Sequence, residues 1–193
     1  MTFSHFKKLI FISAAALLLQ GCVAALIGGG AIATKVGTDP RSTGTQIDDE
    51  TLEFRVENAI EKDEQIRAEA RVNAVSYSGR ILLIGQVPND NAKEVAFSLA
   101  KGVDGVNNVF NELRIGPKIT FGQISKDSWI TTQVKSRMLV DDRVKTSNVK
   151  VITENGEVFL LGSVTESQGA AAAEIASRTQ GAVKVIKVFK YLN

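Results

Sequence analysis

Histidine and cysteine are nearly missing from this 193-residue chain, which has one of each, His5 and Cys22. From Val23 onward there is neither. That excludes a Ser-His-Asp or Cys-His nucleophile, a zinc site of the Cys/His kind, a histidine-ligated haem and a structural disulfide. Charge of one sign is also scarce. With 23 basic and 21 acidic side chains the net charge is +2, too small to suggest a nucleic-acid partner. What remains is an ordinary globular balance, 44% apolar and 23% charged. No catalytic residue and no metal ligand set is expected. Glu61, Asp63, Glu64 and Glu69 lack the spacing of a calcium loop and read as a solvated helix face.

The first residues read as an address. Lys7 and Lys8 precede an apolar run from Leu9 to Leu19, interrupted only by Ser13. This is the layout of a secretory signal peptide over residues 1–21, and the run is too short to span a bilayer. The rival reading is one membrane helix continuing through Val23 to Ala33. Gln20 and the run Gly28-Gly29-Gly30 weaken it, since each glycine costs about 1 kcal/mol relative to alanine in a helix. Leu19-Gln20-Gly21-Cys22 resembles the lipobox of bacterial lipoproteins. The resemblance implies that Cys22 becomes the first mature residue and carries covalent acyl chains, with no other cofactor. Val23 in place of an aspartate resembles the outer-membrane class. Residues 22–48 are then the lipidated cysteine and a flexible tether, rich in Gly, Thr, Ser and Asp towards its end.

The remainder is one unit written twice. Ile81-Leu82-Leu83-Ile84-Gly85-Gln86-Val87 aligns with Val158-Phe159-Leu160-Leu161-Gly162-Ser163-Val164 at an offset of 77. Leu52, Val56, Ile60 align with Ile130, Val134, Met138 at 78, and Gly105, Val109, Leu113 with Gly181, Val185, Phe189 at 76. Two domains follow, 49–116 and 125–193, with an inter-domain segment 117–124. In each, the first three residues named form an apolar helix stripe. Two strands joined by Ser78-Gly79 or Asn155-Gly156 come next; Asn-Gly is a strong signal for a tight hairpin. A second helix, over 90–101 or 167–177, takes Asp90 or Ser167 as its expected N-cap. A last strand, 107–115 or 183–192, closes the unit. The expected class is α+β, with two αββαβ domains, each a three-stranded sheet carrying two helices on one face.

This element order, with a glycine after the apolar run of the second strand and Gly-Val or Gly-Ala before the last strand, resembles the BON domain. The resemblance covers both repeats. It implies a periplasmic location, no catalysis, binding to anionic phospholipid, presence at division sites and a role in envelope integrity.

Differences between the copies point to a surface. Residues 49–115 hold 8 basic and 12 acidic side chains, residues 125–193 hold 10 and 7. Only the second repeat is positive, and each Lys or Arg near an anionic membrane contributes about 1 kcal/mol. On its first helix Trp129, Lys135, Ser136 and Leu139 lie away from the stripe of Ile130, Val134 and Met138. The equivalent residues of repeat 1 are Thr51, Glu57, Asn58 and Glu61. Tryptophan favours the headgroup region of a membrane. Trp129, Lys135, Ser136 and Leu139, flanked by Gln133 and Arg137, are therefore the candidate phospholipid-binding residues. Two alternatives stand beside this. Trp129 and Leu139 pack against repeat 1 or segment 117–124, or the face is the hot spot of a scaffold that docks an envelope-assembly or cell-wall-remodelling protein.

Overall fold

A computed structural model describes residues 42–192. The signal peptide 1–21, the lipidation site Cys22 and the tether up to residue 41 lie outside the described residues. Those from 42 onward belong to one unit.

Repeat 1 comprises α1 (Thr43–Ile60), a short α2 (Glu64–Glu69), β1 (Arg71–Tyr77), β2 (Arg80–Val87), α3 (Asp90–Lys101), β3 (Asn108–Asn111) and β4 (Arg114–Ile115). Repeat 2 comprises α4 (Phe121–Leu139), a 3₁₀ turn (Thr146–Asn148), β5 (Val149–Glu154), β6 (Glu157–Val164), α5 (Glu166–Ser177) and β7 (Lys184–Tyr191). The expected αββαβ order is present twice. In each sheet the central strand pairs antiparallel with the strand before it and parallel with the one after the second helix, giving β1-β2-β3 and β5-β6-β7.

Several boundaries move, each for a capping reason. The tether expected through residue 48 gives way to helix at Thr43, because Ser42 accepts the Thr45 N–H at 3.1 Å. The inter-domain segment expected to reach residue 124 turns helical at Phe121, where Thr120 accepts from Gln123 N–H. Asn89 rather than Asp90 caps α3. Thr165 rather than Ser167 caps α5, in a capping box closed by Gln168. The last strand of repeat 1 is split. Asn111 turns its side chain back to accept from Leu113 N–H and to donate to the Lys93 carbonyl.

Both hairpins close as the Ser-Gly and Asn-Gly pairs require. Ser78 and Gly79 have φ of 54° and 74°, Asn155 and Gly156 50° and 78°, the left-handed pair of a type I′ turn. The glycine ending each apolar run is fixed by space as well. A Cβ on Gly85 or Gly162 would collide with the carbonyl oxygen of Arg71 or Asn148.

The apolar runs of β2 and β6 have no polar alternation because both faces of each strand are covered. Ile81, Leu83 and Val87 join Leu52, Val56, Ile60 and the small face of α3, Ala92, Ala96 and Ala100. Val158, Leu160 and Val164 join Ile130, Val134, Met138, Ala172 and Ala176. The intervening residues form a third cluster between the repeats. Val75, Tyr77, Leu82 and Ile84 meet Phe159, Leu161 and Val188. The two sheets thus pack face to face by the sides that carry no helices, in the layer order helix, sheet, sheet, helix. Charged pairs rim this contact. Arg71 donates to both Glu154 carboxylate oxygens at 2.7 Å, Gln86 adds a third bond to Glu154 at 2.8 Å, and Lys150 meets Glu53 at 2.6 Å.

Candidate membrane-facing site

Helix α4 is positioned from below by its core stripe and from one end by Asp127. Ile130, Val134 and Met138 are buried, with exposures of 4% or less. Asp127 is buried one turn earlier. Its carboxylate accepts the N–H groups of Asn155 and Gly156 at 2.7 and 2.8 Å and the Gln123 amide at 2.9 Å. It thereby ties the helix to the hairpin turn. Asp49 does the same in repeat 1, accepting from Ser78 N–H, Gly79 N–H and the Ser76 hydroxyl. The shared 78-residue offset of these two aspartates was the signal that could have revealed the pairing.

With that register set, the opposite face of α4 is open. Trp129 is 63% exposed and Leu139 75%. Neither is buried against repeat 1 or segment 117–124. Phe121, which lay in the expected inter-domain segment, is 81% exposed. At 100° per residue, Phe121, Ser125, Trp129, Thr132, Ser136 and Leu139 fall within about 80° of one another, opposite the core stripe. From Phe121 to Leu139 this face is about 27 Å long. Val140, just past the helix, is exposed as well.

The polar groups of this face are largely satisfied from within. Ser125 donates its hydroxyl to the Phe121 carbonyl at 3.0 Å, Ser128 to Ile124 at 3.0 Å and Thr132 to Ser128 at 2.9 Å. A hydroxyl that already donates to the i−4 carbonyl loses less on leaving bulk water. The face therefore tolerates an interface of lower polarity better than its composition suggests.

The other candidate residues divide. Ser136 lies within the face, and Lys135 is exposed at one flank. Gln133 is half-buried on the other flank. Arg137 is exposed but reaches sideways, donating to the Arg178 carbonyl at the end of α5 at 3.0 Å. It lies in a surface depression with Asp141, Arg143, Glu174 and Arg178. There Arg143 bridges Asp141 and Glu174 and holds the Asp141 carboxyl below its usual range by hydrogen bonding. Arg143 and Arg178 are neutralised by Asp141 and Glu174.

A cation that the sequence reading passed over stands nearer Trp129. A cleft of 460 Å³ between α4, the β5–β6 turn and the 180–183 loop is lined by Gln123, Lys126, Trp129, Gln180 and the exposed Val183. Lys126 makes no ion pair among the described residues. Repeat 1 has the same cleft, of 360 Å³, at equivalent positions, where Thr45, Asp48, Thr51 and Asp104 take the corresponding places. One architectural feature thus carries Lys126 and Trp129 in repeat 2, and Asp48, Asp49, Asp104 and Arg55 in repeat 1.

The outer face of α1 is less polar than its counterparts suggested. Ile47 and Phe54 are 58% and 67% exposed. Glu57 does not point outward. It accepts the Ala74 N–H at 3.0 Å, and burial pushes its carboxyl above the ordinary value.

Among the described residues, no helix is long and apolar enough to cross a membrane, and no three carboxylates are grouped to hold a metal ion.

Comparison with known proteins agrees with the repeat. The family described as BON domain matches residues 48–117 and 126–193. The chain is 70% identical over 193 residues, the full length of both, to "Outer membrane lipoprotein DolP" of Haemophilus influenzae. It is 55% identical over 154 residues to "21 kDa hemolysin" of Actinobacillus pleuropneumoniae, covering 80% of this chain and 79% of that protein. Against "Osmotically-inducible protein Y" of Escherichia coli it is 27% identical over 155 residues, covering 79% of this chain and 77% of that protein.

Proposed function

This chain belongs to the BON-domain family, and from that premise we propose that it is a non-catalytic outer-membrane lipoprotein that holds anionic phospholipid through α4. Its location is the outer membrane, as the name of its Haemophilus influenzae relative has it. Cys22 carries the acyl anchor. The observation that carries the lipid reading is the exposed row Phe121, Trp129 and Leu139 beside Lys126 and Lys135. Each large apolar side chain moved from water into the interface contributes about 1.5–3 kcal/mol. The cations add attraction that salt screens over roughly 8–10 Å. Repeat 1, acidic and with the twin cleft carrying aspartates, does not take this part. Envelope integrity and a place at division sites follow from the family resemblance and form the physiological part of the proposal.

The test uses residues 22–193 with Cys22→Ser, so that no acyl chain contributes. Sedimentation with phosphatidylglycerol vesicles is compared with neutral phosphatidylcholine vesicles at low and high salt. Binding that needs the anionic lipid, weakens with salt and is abolished by Trp129→Glu with Leu139→Glu is expected. Binding that ignores lipid composition, or survives both substitutions, overturns the lipid reading and favours a scaffold that docks protein through this face.

A further inference from the structure

Each sheet has two edges, and on three of the four either side chains meet the strand or the strand is interrupted. On β1, the outward N–H groups of Ala74 and Ser76 are taken by the Glu57 and Glu53 carboxylates at 3.0 and 2.7 Å. The β3–β4 edge is broken between Asn111 and Arg114. On β5, Thr153 bonds to Thr131 of α4 at 2.8 Å, and Lys150 and Glu154 are bonded to repeat 1. The fourth edge, β7, is eight residues long and pairs only with β6 along its register from Lys184 to Tyr191. Val183 donates its N–H to the Gly156 carbonyl at 2.8 Å. Within the ladder, whose register is constant, Leu192 donates its N–H to the Val164 carbonyl at 2.9 Å, so by alternation the N–H and C=O groups of Val185, Lys187 and Phe189 point away from β6. An unpaired edge of this length is a template for another strand.

Its side chains select what pairs there. Lys184, Lys187 and Lys190 are exposed, and none forms an ion pair among the described residues. Three lysines in eight residues repel a second copy of the same strand, which is how an edge avoids self-association. The same charges attract a strand of opposite sign. Exposed apolar residues stand at both ends, Val183 at 80% and Leu192 at 46%. We infer that β7 is a strand-pairing site for an extended acidic segment of a protein partner, bound by main-chain hydrogen bonds and selected by the three lysines. The three lysines lie outside α4, and Val183, which also lines the cleft beside Trp129, is where the two surfaces adjoin.

The probe is a fluorescein-labelled ten-residue peptide of alternating Glu and Val, measured by anisotropy against residues 22–193 with Cys22→Ser. Two control peptides accompany it: one with alternate backbone nitrogens methylated, and one with Lys in place of Glu. The acidic peptide is expected to bind and to shift the amide resonances of Val185, Lys187 and Phe189. Methylation, which leaves charge intact but removes the bonds, weakens it at least tenfold, as does the triple change of Lys184, Lys187 and Lys190 to Glu. Lys187→Pro weakens binding more than Lys187→Gln, because only the proline removes the outward N–H; neither alters vesicle binding. Equal binding of parent and methylated peptides, equal binding of the lysine peptide, or resonance shifts confined to α4 overturns the assignment. Should Lys187→Pro fail to fold, the methylated peptide still decides.

Discussion

The Asp127 carboxylate stands 2.8 Å from the backbone N–H of Gly156, twenty-nine residues away, and joins the first helix of repeat 2 to the tip of its hairpin. The Asn155 N–H shares the same carboxylate. Removing the acceptor strands two turn N–H groups, of which that of Gly156 is buried. Asp127→Ala is therefore expected to lower stability by about 2–4 kcal/mol, and Asp127→Asn, which keeps one acceptor oxygen, by less. Asp49→Ala should show the same loss from repeat 1. Urea unfolding followed by circular dichroism measures all three.

Arg71 and Glu154 form an ion pair between the repeats at 2.7 Å. Glu154 is 6% exposed and takes bonds from Arg71 and Gln86. Arg71→Met leaves that carboxylate buried with its main counter-charge gone, at a cost of roughly 2–4 kcal/mol. Replacing both partners, Arg71→Met with Glu154→Met, removes the stranded charge and should recover much of the loss. A double-mutant cycle in urea reads the difference directly.

Glu57 makes stability depend on pH in an unusual direction for a carboxylate. Burial is the main cause of its raised pKa; the Ala74 N–H opposes it, and the charges of Glu53 and Glu61 add to it. A carboxyl group with a raised folded pKa contributes stability below its ordinary value of 4.5, and that contribution is lost as pH rises through the folded pKa. Glu57→Gln mimics the protonated form. Its melting temperature should exceed that of the parent at pH 7.5, and the gap should close towards pH 4.

Phe121 extends the exposed row of α4 by more than two turns beyond Trp129. If the whole face enters lipid, Phe121→Ser forfeits about 1.5–3 kcal/mol of transfer free energy. Vesicle affinity should then fall by about tenfold or more, while the melting temperature stays near that of the parent, because the side chain contributes nothing to the core. An unchanged affinity restricts the contact to the Trp129–Leu139 end.

Much of the fold was legible because the pattern occurs twice. The stripes Leu52-Val56-Ile60 and Ile130-Val134-Met138, and the Ser-Gly and Asn-Gly turns, specify helix and hairpin locally. Helix starts were read less well, since Ser42, Asn89, Thr120 and Thr165 were each one of several plausible caps in polar sequence. The outward position of Trp129 and Leu139 follows from helical angle alone. Lys126 and Val183 were not found because their approach to Trp129 depends on a loop brought in from about fifty residues downstream. The packing of sheet on sheet left one trace in sequence, the unbroken apolar runs of β2 and β6. Which surface would cover the second face was a tertiary matter. Glu57 shows the converse error. Its place on the helix suggested solvent, but a strand N–H without another partner drew it inward.

The cluster of Val75, Leu82 and Ile84 against Phe159, Leu161 and Val188 bears on modularity. Two family matches invite the view that the repeats can be cut apart and studied singly. Severed in the linker, each half would bare an apolar sheet face, Val75, Tyr77, Leu82 and Ile84 on one and Phe159, Leu161 and Val188 on the other. Such a half would be adhesive towards lipid, towards its sibling and towards itself, whatever helix it displayed. The duplication has in effect produced one inseparable body with two unlike outer surfaces, and its binding properties belong to the pair.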